Sequence, residues 1–290
     1  MNVRRYILFF YEHEPVSLFL DNLTTIENFK SKKQSIKLLY HDWLGKILII
    51  NNEIQHIENY QPFYHEFLVH LPISIIPNIK TAFIIGGGSL FAAFEILKYS
   101  SVEKLILCDH DHEVLDLMKQ YYKHAELVFA DPRFHFIEQD ANIFLSEHTN
   151  KYDLVVNDCF NLSHQSNLYN NSYYSILSNL NTDDGVCSDI IYRHIFDKQT
   201  TIDTLELLEK EKPYKTSLIA VPEYPGILHL QTIWGKSPTL GKNINVPRNK
   251  IQQDFLNGLE NAIAYQVYSP KFLPFYFHIP PYLKELFDKI

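Results

Sequence analysis

Short apolar runs alternate with segments of helical spacing over most of the chain, beginning near residue 81. Strands are predicted near 82–85, 104–108, 134–138, 153–157, 185–191, 216–221 and 228–234, and helices near 90–99, 111–123, 141–148, 170–180 and 198–210. Strands that alternate with helices form a parallel sheet with helices on both faces. The pattern therefore predicts an α/β fold whose ligands bind beyond the carboxyl ends of the strands.

The first 58 residues have a different pattern. Short apolar segments between residues 35 and 57 are separated by tight polar turns, and no helical period is present there. We therefore predict a small antiparallel β-domain over residues 1–58 and a larger domain over 59–290. A segment of helical spacing at 60–72 opens the second domain and carries Tyr64 and His65 near its start.

Three consecutive glycines, Gly86 to Gly88, separate the first predicted strand of the larger domain from its helix. Glycines allow the backbone to turn sharply and to approach a ligand that a Cβ atom would exclude. The next strand ends at Asp109, and an acid at that position can accept hydrogen bonds from a ribose diol. The third glycine of the dinucleotide pattern is missing, because Ser89 and Leu90 follow. The segment predicts a site for a nucleoside-containing cofactor.

Three acids, Asp109, Asp140 and Asp158, follow three successive predicted strands. The carboxyl ends of parallel strands meet at the same edge of a sheet, so these side chains are expected to share a binding crevice. Asp140 is also the best candidate for a helix N-cap, because a predicted helix begins directly after it.

Composition and charge narrow the choice of partners. A formal net charge of −8 argues against nucleic acid or an anionic membrane surface. The chain contains no run of about 18 apolar residues, so no membrane span is predicted. Its three cysteines lack metal-like spacing, which favours reduced thiols and a cytoplasmic location.

Several separated segments resemble the polyamine aminopropyltransferases, the spermidine synthase family. They are the region around Gln34, WLGKILIINNEIQ, the Tyr64-His65-Glu66 tripeptide, IIGGGSL, CDHD, DPRFHFIEQDA, YDLVVNDCFN and VPEYPG. These segments follow one another in the family's order and at its spacing, and they cover nearly the whole chain.

The resemblance implies a methyltransferase-like Rossmann domain with a small N-terminal antiparallel β-domain, assembled as a homodimer or homotetramer. It implies decarboxylated S-adenosylmethionine as cosubstrate, putrescine or a related amine as acceptor, and no metal. The implied catalytic residue is Asp158. The implied cofactor-binding residues are Gln34, Gly86, Gly88, Asp109, Asp140 and Ala141, and the implied amine-binding residues are Tyr64, His65, Ser89, Asn161 and Tyr224.

The implied chemistry suits these residue types. A primary amine attacks the methylene group beside a sulfonium sulfur, and 5′-methylthioadenosine leaves. The amine is protonated at neutral pH and must lose a proton first, which a carboxylate within hydrogen-bond reach can accept.

Two positions differ from the family pattern. Ser89 stands where the family has an aspartate after the glycines, and Asn161 stands where it has a second acid. Two alternatives therefore stay open: a methyltransferase that uses intact S-adenosylmethionine, and a non-catalytic relative that retains the fold.

Overall fold

The computed structural model of the 290-residue chain describes residues 6–9, 17–76, 78–159, 173–193, 198–211, 213–223, 228–241, 256–259, 261 and 263–281. At the N-terminus, β1 (Tyr6–Phe9) pairs with β2 (Ser17–Leu20). A four-stranded antiparallel sheet follows, made of β3 (Thr24–Lys30), β4 (Ser35–His41), β5 (Gly45–Ile50) and β6 (Glu53–Ile57). The predicted antiparallel sheet is confirmed, and the domain boundary at residue 58 stays a prediction.

The larger sheet has seven strands in the described part of the chain. They are β7 (Thr81–Gly86), β8 (Lys104–Asp109), β9 (Phe134–Glu138), β10 (Tyr152–Asp158), β11 (Asn181–Arg193), β12 (Lys215–Ala220) and β13 (Leu228–Gly235). Their order is β12-β13-β11-β10-β7-β8-β9. The five strands from β11 to β9 in this order are parallel, and β13 and β12 are antiparallel to their neighbours.

The helices are α1 (Gln61–Ile73), α2 (Phe91–Leu97), α3 (His112–Tyr121), α4 (Lys123–Ala130), α5 (Ala141–Glu147), α6 (Tyr173–Asn179), α7 (Lys198–Glu209) and α8 (Leu273–Tyr276). Short 3-10 turns lie at Pro238–Gly241 and Pro270–Phe272. Within the described ranges, no helix combines the length and the apolar character needed to cross a bilayer.

The large sheet is buried on both faces. Along β7, Ala82 and Ile84 belong to one apolar cluster, whereas Phe83 and Ile85 belong to a second cluster on the other face. A strand covered on both sides has a continuous apolar run instead of an alternating pattern, as the sequence of β7 does. The predicted α/β fold, a methyltransferase-like Rossmann sheet with a smaller N-terminal sheet, is confirmed.

Two predicted boundaries differ from the structure. The helix predicted near 111–123 ends at Tyr121, and α4 was not predicted. Tyr122 interrupts the helix because its backbone is extended, with φ −128° and ψ 125°, and its buried hydroxyl lies 3.0 Å from His56 Nε2. Strand β11 also begins at Asn181, earlier than residue 185, because Asn181 pairs with Tyr152 of β10.

Side-chain hydrogen bonds join the smaller sheet and the C-terminal segment to the larger sheet's helices. The Ser31 hydroxyl donates to Asp111 Oδ2 at 2.6 Å, which fixes the β3–β4 turn above the start of α3. The buried Glu66 carboxylate of α1 accepts three backbone N–H bonds at 2.8 Å each, from Gln266, Val267 and Tyr268. The Ser31 bond holds the N-terminal sheet at the edge of the large sheet where β8 ends, and the Glu66 bonds hold the C-terminal segment against α1.

Candidate active site

The glycine turn lies directly against the end of β10. Gly86 and Gly87 have φ values of +72° and +77°, a region that residues with a Cβ atom rarely adopt. A Cβ atom on Gly86 would lie 2.8 Å from the Asp158 carbonyl oxygen, which accepts a hydrogen bond from Gly87 N at 3.0 Å. A Cβ atom on Gly88 would lie 3.1 Å from Asp109 Oδ2. The turn therefore places backbone without side chains between the carboxylates of Asp109 and Asp158.

The residues after the glycines pack against a cluster of aromatic side chains. Leu90 is fully buried and has a φ of 63°. The ring of Phe91 stacks on His124 at 3.8 Å between centroids and contacts His65 at 5.2 Å. His124 Nε2 lies 2.9 Å from the Ser89 carbonyl oxygen.

Ten of the twelve predicted site residues line the same cavity of about 340 Å³. They are Gln34, Tyr64, His65, Gly86, Gly88, Ser89, Asp109, Asp140, Ala141 and Asp158. The other two, Asn161 and Tyr224, lie outside the described residues. The fold thus assembles side chains that are up to 124 positions apart in the sequence, from Gln34 to Asp158, around one space.

Asp158 ends β10 beside Gly86 of β7, and its side chain is 8% exposed. Burial raises the pKa of its carboxyl group to about 8, and the charges of Asp109 and Asp189 add to the rise. A hydrogen bond from the Tyr64 hydroxyl opposes it. The buried Oδ2 atom has no hydrogen-bond partner in the part of the chain that the structure describes.

His65 faces this oxygen as a neutral imidazole. Its Nδ1 lies 3.0 Å from the Gln61 carbonyl oxygen, which can only accept, so Nδ1 carries the proton and Nε2 has a free lone pair. Burial lowers the pKa of His65 to about 4. Nε2 lies 3.9 Å from Asp158 Oδ2, too far for a direct hydrogen bond. A donor group that enters the cavity can contact both atoms.

The remaining predicted acids, Asp109 and Asp140, line the same cavity. Asp109 Oδ1 accepts from Asp111 N at 3.0 Å, and Oδ2 lies beside Gly88. Burial raises the pKa of Asp109. Asp140 is the N-cap of α5, as predicted, because Oδ1 accepts from Asn142 N at 2.8 Å. The second oxygen of each carboxylate is available to a ligand with hydroxyl or amino donors.

The lining also includes buried carboxyl and imidazole groups that were not predicted from the sequence, those of Asp189, Glu223 and His229. All three are buried, with 3%, 2% and 5% of their surface exposed. Asp189 could have been identified because it is an acid inside a predicted buried strand. Burying a charge without a partner is costly, so such an acid indicates a functional site. Glu223 directly precedes Tyr224 in VPEYPG and carried no separate pattern.

A Rossmann-type sheet with a glycine turn and an acidic cavity at its carboxyl edge defines a methyltransferase-like class of fold. Within this class, residues 61–244 match the family model described as Spermine/spermidine synthase domain. This is more than half of the chain, and the chain belongs to that family. The predicted polyamine aminopropyltransferase family is confirmed.

Relatives of known name agree with this family. The chain is 37% identical over 128 residues to a thermospermine synthase of Arabidopsis thaliana, covering 44% of this chain and 38% of that protein. It is 26% identical over 270 residues to a polyamine aminopropyltransferase of Thermoanaerobacter sp. (strain X514), covering 90% of this chain and 91% of that protein. It is also 36% identical over 130 residues to putrescine N-methyltransferase 2 of Nicotiana attenuata, covering 44% and 35%.

The fold has close counterparts among solved structures. A crystal structure of spermidine synthase in complex with the transition state analogue AdoDATO superimposes with a TM-score of 0.83. The match covers 99% of this chain and 96% of that one, at 23% sequence identity. The shared architecture extends over both sheets.

Proposed function

We propose that this protein transfers the aminopropyl group of decarboxylated S-adenosylmethionine to putrescine or a related amine, and releases 5′-methylthioadenosine. The observation that carries the proposal is the pair of acceptors formed by Asp158 Oδ2 and His65 Nε2, 3.9 Å apart in a buried cavity. An amine nitrogen that donates to both would be held beside the glycine turn.

The nucleoside end of the cosubstrate suits the other side of the cavity. The free oxygen of Asp109 can accept from a ribose diol where Gly88 leaves room for the sugar. Asp140 and the backbone of Ala141, at the start of α5, can hydrogen-bond the edge of an adenine. Gln34, from the N-terminal β-domain, also lines the cavity.

The chain's own residues can then prepare the amine for attack. The cosubstrate supplies an electrophilic methylene group beside its sulfonium sulfur. The ammonium form of the amine gives a proton to Asp158, and its lone pair forms the new C–N bond as the C–S bond breaks. A carboxyl group of raised pKa accepts a proton more readily than an ordinary aspartate does. Holding the two reactants in line lowers the barrier further.

The direct test measures release of 5′-methylthioadenosine from decarboxylated S-adenosylmethionine with putrescine as acceptor. We expect turnover by the wild-type chain and a loss of ~10²–10⁴-fold in Asp158→Ala, the usual contribution of a positioned base. Normal turnover by Asp158→Ala would refute its role. Cosubstrate binding without methylthioadenosine release for any amine would identify a non-catalytic relative.

A second candidate function is methyl transfer from intact S-adenosylmethionine to an amine. Two observations favour it: the similarity to a putrescine N-methyltransferase, and Ser89, which carries no charge to repel the carboxylate of the intact cofactor. Calorimetric titration with both cofactors, with 5′-methylthioadenosine as control, separates the candidates. Tighter binding of the decarboxylated form supports aminopropyl transfer, and tighter binding of the intact form supports methyl transfer.

A further inference from the structure

Helix α1 borders the cavity with one side only. Tyr64 and His65 line the cavity, whereas Glu66, the next residue, is not part of the lining that the structure describes. Successive residues of a helix are rotated by ~100° about its axis, so Glu66 is on another side of α1. It is fully buried there. Burying a carboxylate is costly unless it is hydrogen-bonded, and the proposed reaction does not use this one.

The partners of Glu66 are consecutive backbone N–H groups of the C-terminal segment, residues 263–281. Its Oε1 atom accepts from Gln266 N, and its Oε2 atom accepts from Val267 N and Tyr268 N, at 2.8 Å each. Hydrogen bonds to a charged acceptor are about twice as strong as those between neutral groups. These three bonds, which we call the Glu66 anchor, join positions 200 to 202 residues apart in the sequence.

The C-terminal segment follows one side of α1 beyond the anchor. The Tyr265 ring contacts the His70 ring at 4.8 Å between centroids, and the Tyr268 hydroxyl donates to Ser74 Oγ at 2.7 Å. Glu66, His70 and Ser74 are spaced by four residues, so they share one face of the helix. The segment therefore holds α1 over about two turns, beginning at the position next to His65.

The large sheet holds the same part of α1 by its backbone. Pro72 has no N–H group, so the Leu68 carbonyl oxygen lacks the donor that a regular helix would supply. Ser188 Oγ of β11 donates to this oxygen at 2.9 Å, and Gln231 Nε2 of β13 donates to the Phe67 carbonyl oxygen at 2.7 Å. The sheet and the C-terminal segment thus bind three consecutive residues of α1, directly after the residues that line the cavity.

This double attachment sets a distance inside the cavity. His65 is on α1 and Asp158 ends β10, so the 3.9 Å between His65 Nε2 and Asp158 Oδ2 depends on where α1 lies against the sheet. One nitrogen can donate to both atoms only if each is within ~3.2 Å of it. A misplacement of ~1 Å in such an arrangement can lower a rate by ~100-fold.

We propose that Glu66 is a positioning residue, which fixes α1 through the C-terminal segment so that His65 and Asp158 can receive the same amine nitrogen. This inference rests on the proposed function of the cavity. Glu66 contacts neither reactant in it. Its effect on the reaction passes through His65.

A double-mutant cycle tests the route of this effect. In Glu66→Gln we expect kcat/KM for putrescine to fall about 10–100-fold, the contribution of one hydrogen bond to a charged group. In the His65→Ala background the same change should cost less than about threefold, because the residue through which it acts is gone. An equal loss in both backgrounds overturns the proposal.

Tyr276→Phe is the matched control in the C-terminal segment. The Tyr276 hydroxyl accepts from Ser269 N at 3.1 Å, a bond within the segment that leaves the Glu66 anchor intact. This variant should keep kcat/KM within about threefold of the wild type. A loss as large as that of Glu66→Gln would mean that any weakening of the segment lowers the rate, which overturns a specific role for Glu66.

A proton NMR titration of His65 decides the question without turnover, with its signal identified by its absence from His65→Ala. Burial lowers the pKa of His65 to about 4. If Glu66→Gln lets α1 move and water enter, this pKa should rise by about one unit. Loss of the negative charge alone would lower it, so a rise reports the movement of the helix.

Glu66→Asp serves if Glu66→Gln does not fold. It keeps the charge, but its side chain is one methylene shorter and cannot hold all three N–H groups with α1 in place, so the pKa of His65 should again rise. An unchanged pKa of His65 in the folded variant overturns the proposal. A wild-type protein without turnover whose His65 pKa rises in the variant counts against the transferase and supports the anchor.

Discussion

Two requirements on Asp158 oppose each other. Its burial raises the pKa to about 8, so the empty cavity favours the neutral carboxyl group. A proton acceptor must be ionised before the reaction. A bound ammonium and a bound sulfonium are both cationic, and each favours the ionised form. The acid would therefore become a base when the cations that need it are present.

The pH dependence of the rate follows from this pKa. Because the ionised form of Asp158 is required and the bound sulfonium favours it, kcat/KM for putrescine should rise about tenfold per pH unit up to an inflection below about 8 and then level off. It should fall again near pH ~10, where the free amine loses its proton. In Asp158→Asn we expect this inflection to disappear. Initial rates of methylthioadenosine release over this range provide the measurement, and an inflection retained by the variant would contradict the assignment.

We predict that the side chain at position 89 determines whether the cavity prefers the decarboxylated or the intact cofactor. Ser89 lines the cavity next to Gly88 and is half-buried. Ser89→Asp introduces the carboxylate that the family pattern has at this position. It should tighten binding of decarboxylated S-adenosylmethionine about 10–100-fold through a charge-assisted hydrogen bond. Binding of the intact cofactor should weaken, because its carboxylate is repelled.

Ser89→Asn is the control for this prediction, since asparagine has nearly the same shape as aspartate and no charge. Calorimetry with both cofactors should place this variant within a few-fold of the wild type. If Ser89→Asp changes the two affinities equally, its side chain does not distinguish the cofactors by charge.

At the scale of elements, the turn between β7 and α2 contains a strained residue. Leu90 is fully buried and has a φ of 63°, a left-handed conformation that costs a side-chain-bearing residue ~1–2 kcal/mol. Removing a buried leucine side chain costs ~2–5 kcal/mol. Burial is the larger effect, so Leu90→Gly should destabilise the protein by ~1–3 kcal/mol despite the relief of strain.

Leu90→Ala separates the two effects. It loses the packing of all side-chain atoms beyond Cβ and keeps the strain, so we expect it to be less stable than Leu90→Gly by ~1 kcal/mol. This order reverses the usual advantage of alanine over glycine in a folded chain. Urea denaturation of the three proteins measures the differences. An alanine variant more stable than the glycine variant would show that the turn is not strained.

The predictable part of the fold is the part that local pattern determines. Strands such as β7 and β10 and the N-cap Asp140 follow from apolar runs and from one side chain beside a helix start. The break at Tyr122 does not, because it depends on a hydrogen bond to His56 of the other sheet, 66 positions away. The same limit applies to the cavity. The local pattern around Asp189 indicates only an acid in a buried strand, whereas its place beside the cavity depends on the register of β11 against β10.

At the scale of the whole molecule, the cavity lies where the two sheets meet. Gln34 and Gln55 come from the smaller sheet, and the glycine turn and the acids come from the larger one. The hydrogen bond from Ser31 to Asp111 joins the two beside the cavity. Enclosure by both sheets removes water from the carboxyl groups, and this raises the pKa of Asp158 and Glu223. The arrangement that suits cationic ligands therefore costs stability when no ligand is bound.

This cost gives a prediction for the ligand-free protein. The folded pKa of Asp158 lies above its ordinary value of 3.8, so its unfavourable contribution develops as the pH rises from about 4 to about 8. The asparagine side chain of Asp158→Asn cannot ionise, so this variant lacks the unfavourable contribution. The variant should match the wild type near the lower pH and exceed it by a few kcal/mol near the upper one, since one pKa unit corresponds to ~1.4 kcal/mol.

Urea denaturation across this pH range tests the expectation. The other buried groups, including His65 and His124, titrate in both proteins and largely cancel in the difference between them. Glu147→Gln should follow the wild type at every pH, because its side chain is exposed. A stability difference that does not grow with pH would mean that the Asp158 carboxyl group keeps an ordinary pKa in the fold. A growing difference, together with lost turnover, would show that the buried acid is retained for activity at the expense of stability.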